Sequence, residues 1–124
     1  MSDSTTSNST PSKSKDNWQD ICHIDAIIPN AGRCALVNGE QVAIFRVRKS
    51  GNDELYAIHN HDPISKANVL SRGIIGSILE RVVVASPIYK QHFCLKTGEC
   101  LEDETATVKT YQVRIENEMV QLSA

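Results

Sequence analysis

The sequence is short of most features that announce a function. No run approaches the ~18 consecutive apolar residues that a membrane helix needs, and no apolar stretch follows Met1, so neither a spanning segment nor a secretory leader is expected. Positive charge is not in excess: thirteen Lys and Arg face fifteen Asp and Glu, a formal charge of −2. That balance lacks the basic footprint of a nucleic-acid binder. Cysteine numbers four and forms no C-x-x-C pair, which removes the usual zinc knuckle and any disulfide-dense scaffold. Neither a G-x-G-x-x-G nor a Walker loop is present, so nucleotide binding lacks its phosphate cradle. Ser86 stands between Ala85 and Pro87 without the flanking glycines of a nucleophile elbow. No amphipathic repeat extends over three helical turns, and no internal repeat is visible.

What remains divides at Trp18. Residues 1–17 are rich in Ser and Thr, with Met1 as the only apolar side chain. Such a segment has nothing to bury and is expected to be a flexible tail ahead of a domain over 18–124. From Trp18 onward the pattern is mostly two-residue alternation. Glu40–Arg48 sets Val42, Ile44, Arg46 and Arg48 on one parity and Ala43, Phe45 and Val47 on the other, which predicts a strand buried on much of both faces. Arg46, Arg48 and Lys49 read as its solvated end. Arg33–Val37, Leu55–His59 and Ile78–Ala85 read as further strands. Tyr111, Val113 and Ile115 alternate up to a turn at Glu116–Glu118, and Val120 and Leu122 return, predicting a hairpin. Phe93–Leu101 predicts another, with Gly98 at the positive-φ position. Val42, Ile44, Phe45, Val82, Val84, Val113 and Ile115 are the expected core. The fold class is all-β, an antiparallel sandwich or small barrel. Function is then sought in the two unpatterned stretches, Asn60–Gly76 and Ser86–Gln91.

Chemistry-bearing residues are few. Cys94 and Cys100 flank the Thr97-Gly98 turn and could face each other across it, although in a reducing compartment two half-buried thiols are the simpler reading. His59 and His61 form an H-x-H pair and His92 lies by the other loop, but no third ligand is fixed by spacing, so solvated loop histidines outweigh a zinc site drawing on both. No metal, catalytic or cofactor-binding residue emerges from the residues alone.

The two loops are more informative together. One reads Asp62-Pro63-Ile64, followed by Leu70-Ser71-Arg72-Gly73. The other reads Ser86-Pro87-Ile88-Tyr89, followed by Phe93 and Thr97-Gly98-Glu99. The arrangement resembles the Rieske iron–sulfur domain, whose loops read C-P-H and C-P-x-H. Asp62 and Ile64 stand at the first pair of ligand positions, and Ser86 and Tyr89 at the second. Both prolines are kept, and all four ligands are replaced. A Rieske centre takes two thiolates and two imidazoles. Ile64 has no lone pair, and Asp62, Ser86 and Tyr89 offer hard oxygen at positions for softer donors.

A Rieske-like chain without these ligands resembles the small subunits of assimilatory NAD(P)H-dependent nitrite reductases. That resemblance covers Trp18 to Leu122 and rests on Trp18–Cys22, Gln41–Arg46, Asn60 with Asp62-Pro63, Leu70–Gly73, Ala85–Pro87, Gln91 with Phe93, and Val120–Leu122. It implies a cytoplasmic, non-catalytic subunit, with no cofactor of its own, that serves nitrate assimilation. Its partner would be a large subunit carrying flavin, iron–sulfur and sirohaem groups and reducing nitrite to ammonium. Docking is expected at the former cluster tip, through His61, Lys66, Tyr89 and Lys90, with Pro63, Pro87 and contacts among Ile64, Ile88 and Tyr89 holding the loops together; the equal alternative is that Ile64 and Tyr89 simply fill the vacated cluster volume. A Rieske-like module for another oxidoreductase and a stand-alone electron carrier are the alternatives; the absent ligands weigh against the carrier.

Overall fold

A computed structural model of the chain describes residues 18–123. The Ser/Thr-rich segment expected as a tail lies outside them. The described residues form strands joined by tight turns, with two single 3₁₀ turns at Ile24–Ala26 and Leu70–Arg72. The strands are β1 (Trp18–His23), β2 (Ala31–Val37), β3 (Glu40–Lys49), β4 (Asn52–His59), β5 (His61–Asp62), β6 (Ala67–Asn68), β7 (Ile74–Ile78), β8 (Arg81–Ala85), β9 (His92–Cys94), β10 (Thr110–Glu116) and β11 (Met119–Ser123). A six-stranded antiparallel sheet runs in the order β1-β11-β10-β4-β3-β2, a three-stranded one β9-β8-β7, and β5 and β6 make a short ribbon.

Strand β3 is the spine. All six residues from Val42 to Val47 are buried, as the double-sided alternation predicts. Ala43, Phe45 and Val47 face one apolar cluster with Ile58, Leu70, Val84, Phe93 and Leu95, which joins the large sheet to the small one. Val42 and Ile44 face the other, with Ile27, Val37, Ala57, Val120 and Leu122, inside the curl of the large sheet. A strand with apolar side chains on both pleat faces must be covered on both, and this sandwiching fixes its register.

Four hairpins turn through two residues, both at positive φ: Asn38-Gly39, Ser50-Gly51, Leu79-Glu80 and Asn117-Glu118. This geometry matches the right-handed twist of the strands it joins. Leu79-Glu80 divides the segment Ile78–Ala85 that alternation alone assigns to one strand, so Ile78 ends β7 and only Arg81–Ala85 forms β8. Gly98, at φ +83, turns the chain between β9 and Cys100 as expected.

Arg46 corrects the reading of a solvated strand end. It points into the second cluster's side of β3 and is only 9% exposed. Its guanidinium donates to the carbonyls of Ile24 (3.2 Å) and Ile27 (2.8 Å) and pairs with Asp53. Asp53 also accepts from Arg48, and hydrogen bonds from Arg48 and then Arg46 hold its carboxyl below the usual range. A buried cation is tolerable only when its donors are met, and here they are. Ile115, expected in the core, is 40% exposed. Strand β10 pairs with β4 only at Thr110 and Tyr111 and then follows β11 alone, so Ile115 has no neighbour on its β4 side. Val82 and Val113 are half-buried against the two clusters.

Candidate functional site

The two unpatterned stretches meet at one end of the molecule, where β4 and β8 finish. The first leaves β4 at Asn60, a 2%-exposed residue with no spare hydrogen-bonding group. Its N–H donates to the Gln41 carbonyl (2.9 Å), and its own carbonyl accepts from Leu70 (3.1 Å). Its side chain accepts from the Ser71 amide (2.7 Å) and donates to Gln41 Oε1 (3.0 Å). The first loop is thereby bonded to β3 and to the Leu70–Arg72 turn. Gly73 allows that turn to press on β8, since a side chain there would collide with the Ala85 carbonyl.

Both loops then use one local design. The first reads Asp-Pro-Ile-Ser-Lys (62–66) and the second Ser-Pro-Ile-Tyr-Lys (86–90). In each, the opening side chain accepts from the amide two residues on: Ile64 to Asp62 Oδ1 at 2.9 Å, and Ile88 to Ser86 Oγ at a longer 3.4 Å. These are Asx- and Ser-type turns, which favour short polar residues at the opening position. In each, the closing lysine amide donates to the opening carbonyl, Lys66 to Asp62 at 2.7 Å and Lys90 to Ser86 at 3.0 Å. Both lysines take the left-handed conformation, at φ 61 and φ 67.

The two opening residues are bonded to each other. Ser86 Oγ donates to Asp62 Oδ2 at 2.5 Å, and both residues are fully buried. A carboxylate removed from water needs its lone pairs occupied. Asp62 Oδ1 takes the Ile64 and Ser65 amides and Oδ2 takes the Ser86 hydroxyl. Burial pushes the Asp62 carboxyl up, but these hydrogen bonds, led by Ser86, outweigh it and leave the group below its ordinary value. Asp62 is therefore an anion at neutral pH, and the bond is of the short, charge-assisted kind.

Around this buried bond the four positions at the former ligand sites part company. Asp62 and Ser86 are inside. Ile64 is half-buried against the first apolar cluster. Tyr89 is 59% exposed and its neighbour Ile88 44%. The loops are thus joined by a polar bond and not, as expected, by an apolar cluster that includes Ile88 and Tyr89. Among the proposed docking residues, Lys66 and Lys90 are exposed. His61 is half-buried, with Nδ1 2.9 Å from Asn68 Oδ1 across the β5–β6 ribbon. The direct Asp62–Ser86 bond is the feature that sequence reasoning misses. Its signal was the pairing of an acceptor and a donor at matching positions of two like loops.

The other candidates separate. Cys100 lies opposite Phe93, so Cys94, one position further along the strand, points to the other face. All four cysteines are free. His59 and His61 have ring centroids 6.3 Å apart, and His92 pairs with Glu102 at 2.7 Å. Among the described residues no group of three or more His, Cys, Asp and Glu is placed to hold a metal.

The sheets and the paired proline loops define a Rieske-like domain. Residues 17–123 match the family described as the Rieske-like [2Fe-2S] domain. The ferredoxin of carbazole 1,9a-dioxygenase from Nocardioides aromaticivorans has the same fold, with a TM-score of 0.70 at 20% identity over 86% of this chain and 97% of that one. More similar in sequence are nitrite reductase (NADH) small subunits. That of Salmonella typhimurium is 51% identical over 105 residues, covering 85% of this chain and 95% of the relative, and that of Escherichia coli is 50% identical over the same shares. Solved structures include the E. coli protein NirD, with a TM-score of 0.76 and 48% identity over 85% of this chain and 94% of that one. A putative NADH-dependent nitrite reductase small subunit from Mycobacterium tuberculosis gives a TM-score of 0.80 and 38% identity, over 86% and 94%. A nitrite reductase [NAD(P)H] large subunit from Klebsiella oxytoca is 40% identical over 100 residues, 81% of this chain but 10% of that protein. This chain belongs to the nitrite reductase (NADH) small subunit family.

The family description implies a [2Fe-2S] group, and the donor set at the tip does not fit one. Such a cluster in a Rieske frame takes two thiolates and two imidazoles. At those positions stand Asp62 and Ser86, already bonded to each other, Ile64, which has no donor atom, and an exposed phenol.

Proposed function

We propose that this chain is a cytoplasmic, non-catalytic small subunit that binds no cluster and docks by its loop tip on the large subunit of an NAD(P)H-dependent nitrite reductase. Nitrite reduction to ammonium, within nitrate assimilation, would take place on flavin, iron–sulfur and sirohaem groups of that partner. The observation that carries this reading is the tip itself. Its buried carboxylate–hydroxyl bond stands where ligands would be, and around it Ile88, Tyr89, Lys66 and Lys90 are exposed. An exposed aromatic beside cations is the composition of a protein-binding hot spot more than of a reaction centre. The similar stretch within the Klebsiella large subunit supports the pairing, since a domain carried there within the polypeptide has reason to sit against it. No helix among the described residues is long and apolar enough to cross a membrane.

The test is a titration of the purified chain against the purified large subunit. Tyr89→Ala combined with Lys90→Glu is expected to weaken binding by about 2 kcal/mol or more while the domain stays folded. Unchanged affinity would move the interface elsewhere. A visible spectrum of the isolated chain is expected to be featureless, and an iron–sulfur spectrum would sink the cluster-free reading.

A further inference from the structure

We infer that Asp62 and Ser86 are positioning residues for docking: their buried bond does the mechanical work that a metal cluster does in a Rieske frame, locking two separate loops so that Lys66 and Lys90 meet a carboxylate-bearing surface of the large subunit as one unit. The inference rests on the docking reading and says what sets up that surface.

The loops lie 24 residues apart in sequence, and each is closed within itself by its own lysine amide. Internal closure fixes the shape of each loop but not the angle between them. Asp62 Oδ2 and Ser86 Oγ connect them directly, from fully buried positions where water cannot compete for the bond. In such surroundings a charge-assisted hydrogen bond resists opening far more than the same bond at a surface. The bond also joins the two opening residues, whose carbonyls receive the lysine amides. Any swing of one loop about the other is thus carried to a lysine. Both lysines are exposed, so each loop carries a cation at the residue that closes it. Two loops set at a fixed angle bind without first losing the freedom to find it, which is how preorganisation adds affinity.

The experiment cuts the bond at the serine. In native-state amide hydrogen exchange on the full chain, Ser86→Ala is expected to speed exchange of the Lys90 amide and, across the bond, of the Lys66 amide, each by about tenfold or more. Ser86→Thr, which keeps the hydroxyl, is expected to restore protection. Acceleration confined to Lys90 would overturn the inference. In titrations against the purified large subunit, Ser86→Ala is expected to weaken binding about tenfold, and Lys66→Glu with Lys90→Glu to cost less in that background than in the parent. Full additivity would overturn it, as would parental affinity in Ser86→Ala. Asp62→Asn keeps the shape and removes the charge; it is the second variant should Ser86→Ala fail to fold, with effects in the same direction and smaller. If the lysine pair and Tyr89 variants leave affinity unchanged, docking at the tip has failed and the inference falls with it. If they weaken binding while Ser86→Ala does not, only the positioning role has failed.

Discussion

The two tip loops share a pattern of proline, isoleucine and lysine and the same internal hydrogen bonds, yet they are used in opposite ways. The first is rooted. It rises from Asn60, passes through the β5–β6 ribbon, turns Ile64 toward the apolar cluster and hands the chain to the Leu70–Arg72 turn. The second stands clear: Pro87, Ile88, Tyr89 and Lys90 are all exposed, and only Ser86 is buried. Equal local geometry therefore does not mean equal role. What separates the loops is where their third and fourth residues point. One loop is anchored and exposes its closing lysine, the other is surface from Pro87 to Lys90, and the Asp62–Ser86 bond couples them.

The largest effect is expected where the rooted loop is cut from the sheet. Asn60→Ala would leave the Ser71 amide and Gln41 Oε1 without the partners they have now. Leaving the half-buried Ser71 amide unmet, at the cavity opened by a buried side chain, is expected to cost roughly 1–3 kcal/mol, read as a lowered midpoint in denaturant at unchanged slope. The matching cut in the exposed loop, Tyr89→Ala, is expected to change stability by less than about 0.5 kcal/mol. Equal losses from the two substitutions would erase the distinction between root and surface.

The coupling bond is expected to show itself in acid. Asp62 is held below the ordinary aspartate value, near 3.9 in an unfolded chain. A carboxyl lowered on folding adds stability above its unfolded value and loses it as pH falls through the folded one. The contribution of Asp62 is thus constant from about pH 5 to 8 and is lost below about pH 4. Stability curves for the parent and Asp62→Asn should differ by a constant amount above pH 5 and converge in acid. A gap that first opens or closes near neutrality would mean another group is titrating.

Much of the fold was legible because it follows from local pattern. Alternation over residues 42–47 calls for a strand covered twice, and β3 is that strand. Glycine at 98 calls for the turn it makes. The misses share a different cause. Nothing near Leu79-Glu80 marks a tight turn by composition, so the chain reverses there on the strength of β7 and β8 pairing. Arg46 looked solvated because its partners, Asp53 and the carbonyls of Ile24 and Ile27, come from other segments. Ile115 looked buried because alternation cannot say where a neighbouring strand stops. At the tip, the replaced ligand positions could be read from a resemblance. The bond between Asp62 and Ser86 could be read only as an acceptor and a donor at matching positions of two like loops, since forming it depends on the loops meeting in space.

The smallest expected effect is the most discriminating for the comparison between loops. Lys66 and Lys90 both occupy the left-handed region, where a side chain costs roughly 1–2 kcal/mol. Glycine removes that strain but gives back roughly 0.5–1 kcal/mol through the greater freedom of its unfolded chain. Lys66→Gly and Lys90→Gly should each therefore be neutral or stabilising by no more than about 1.5 kcal/mol, by thermal melting. Neither substitution removes the backbone bond that closes the loop, so each isolates what the side chain does. If the side chains serve docking, both variants keep or gain stability while binding the large subunit more weakly, and Lys90→Gly, in the exposed loop, loses more. A lysine that instead held its own loop together would make the glycine variant less stable by about 1 kcal/mol or more, and the docking role of that residue would be lost with it.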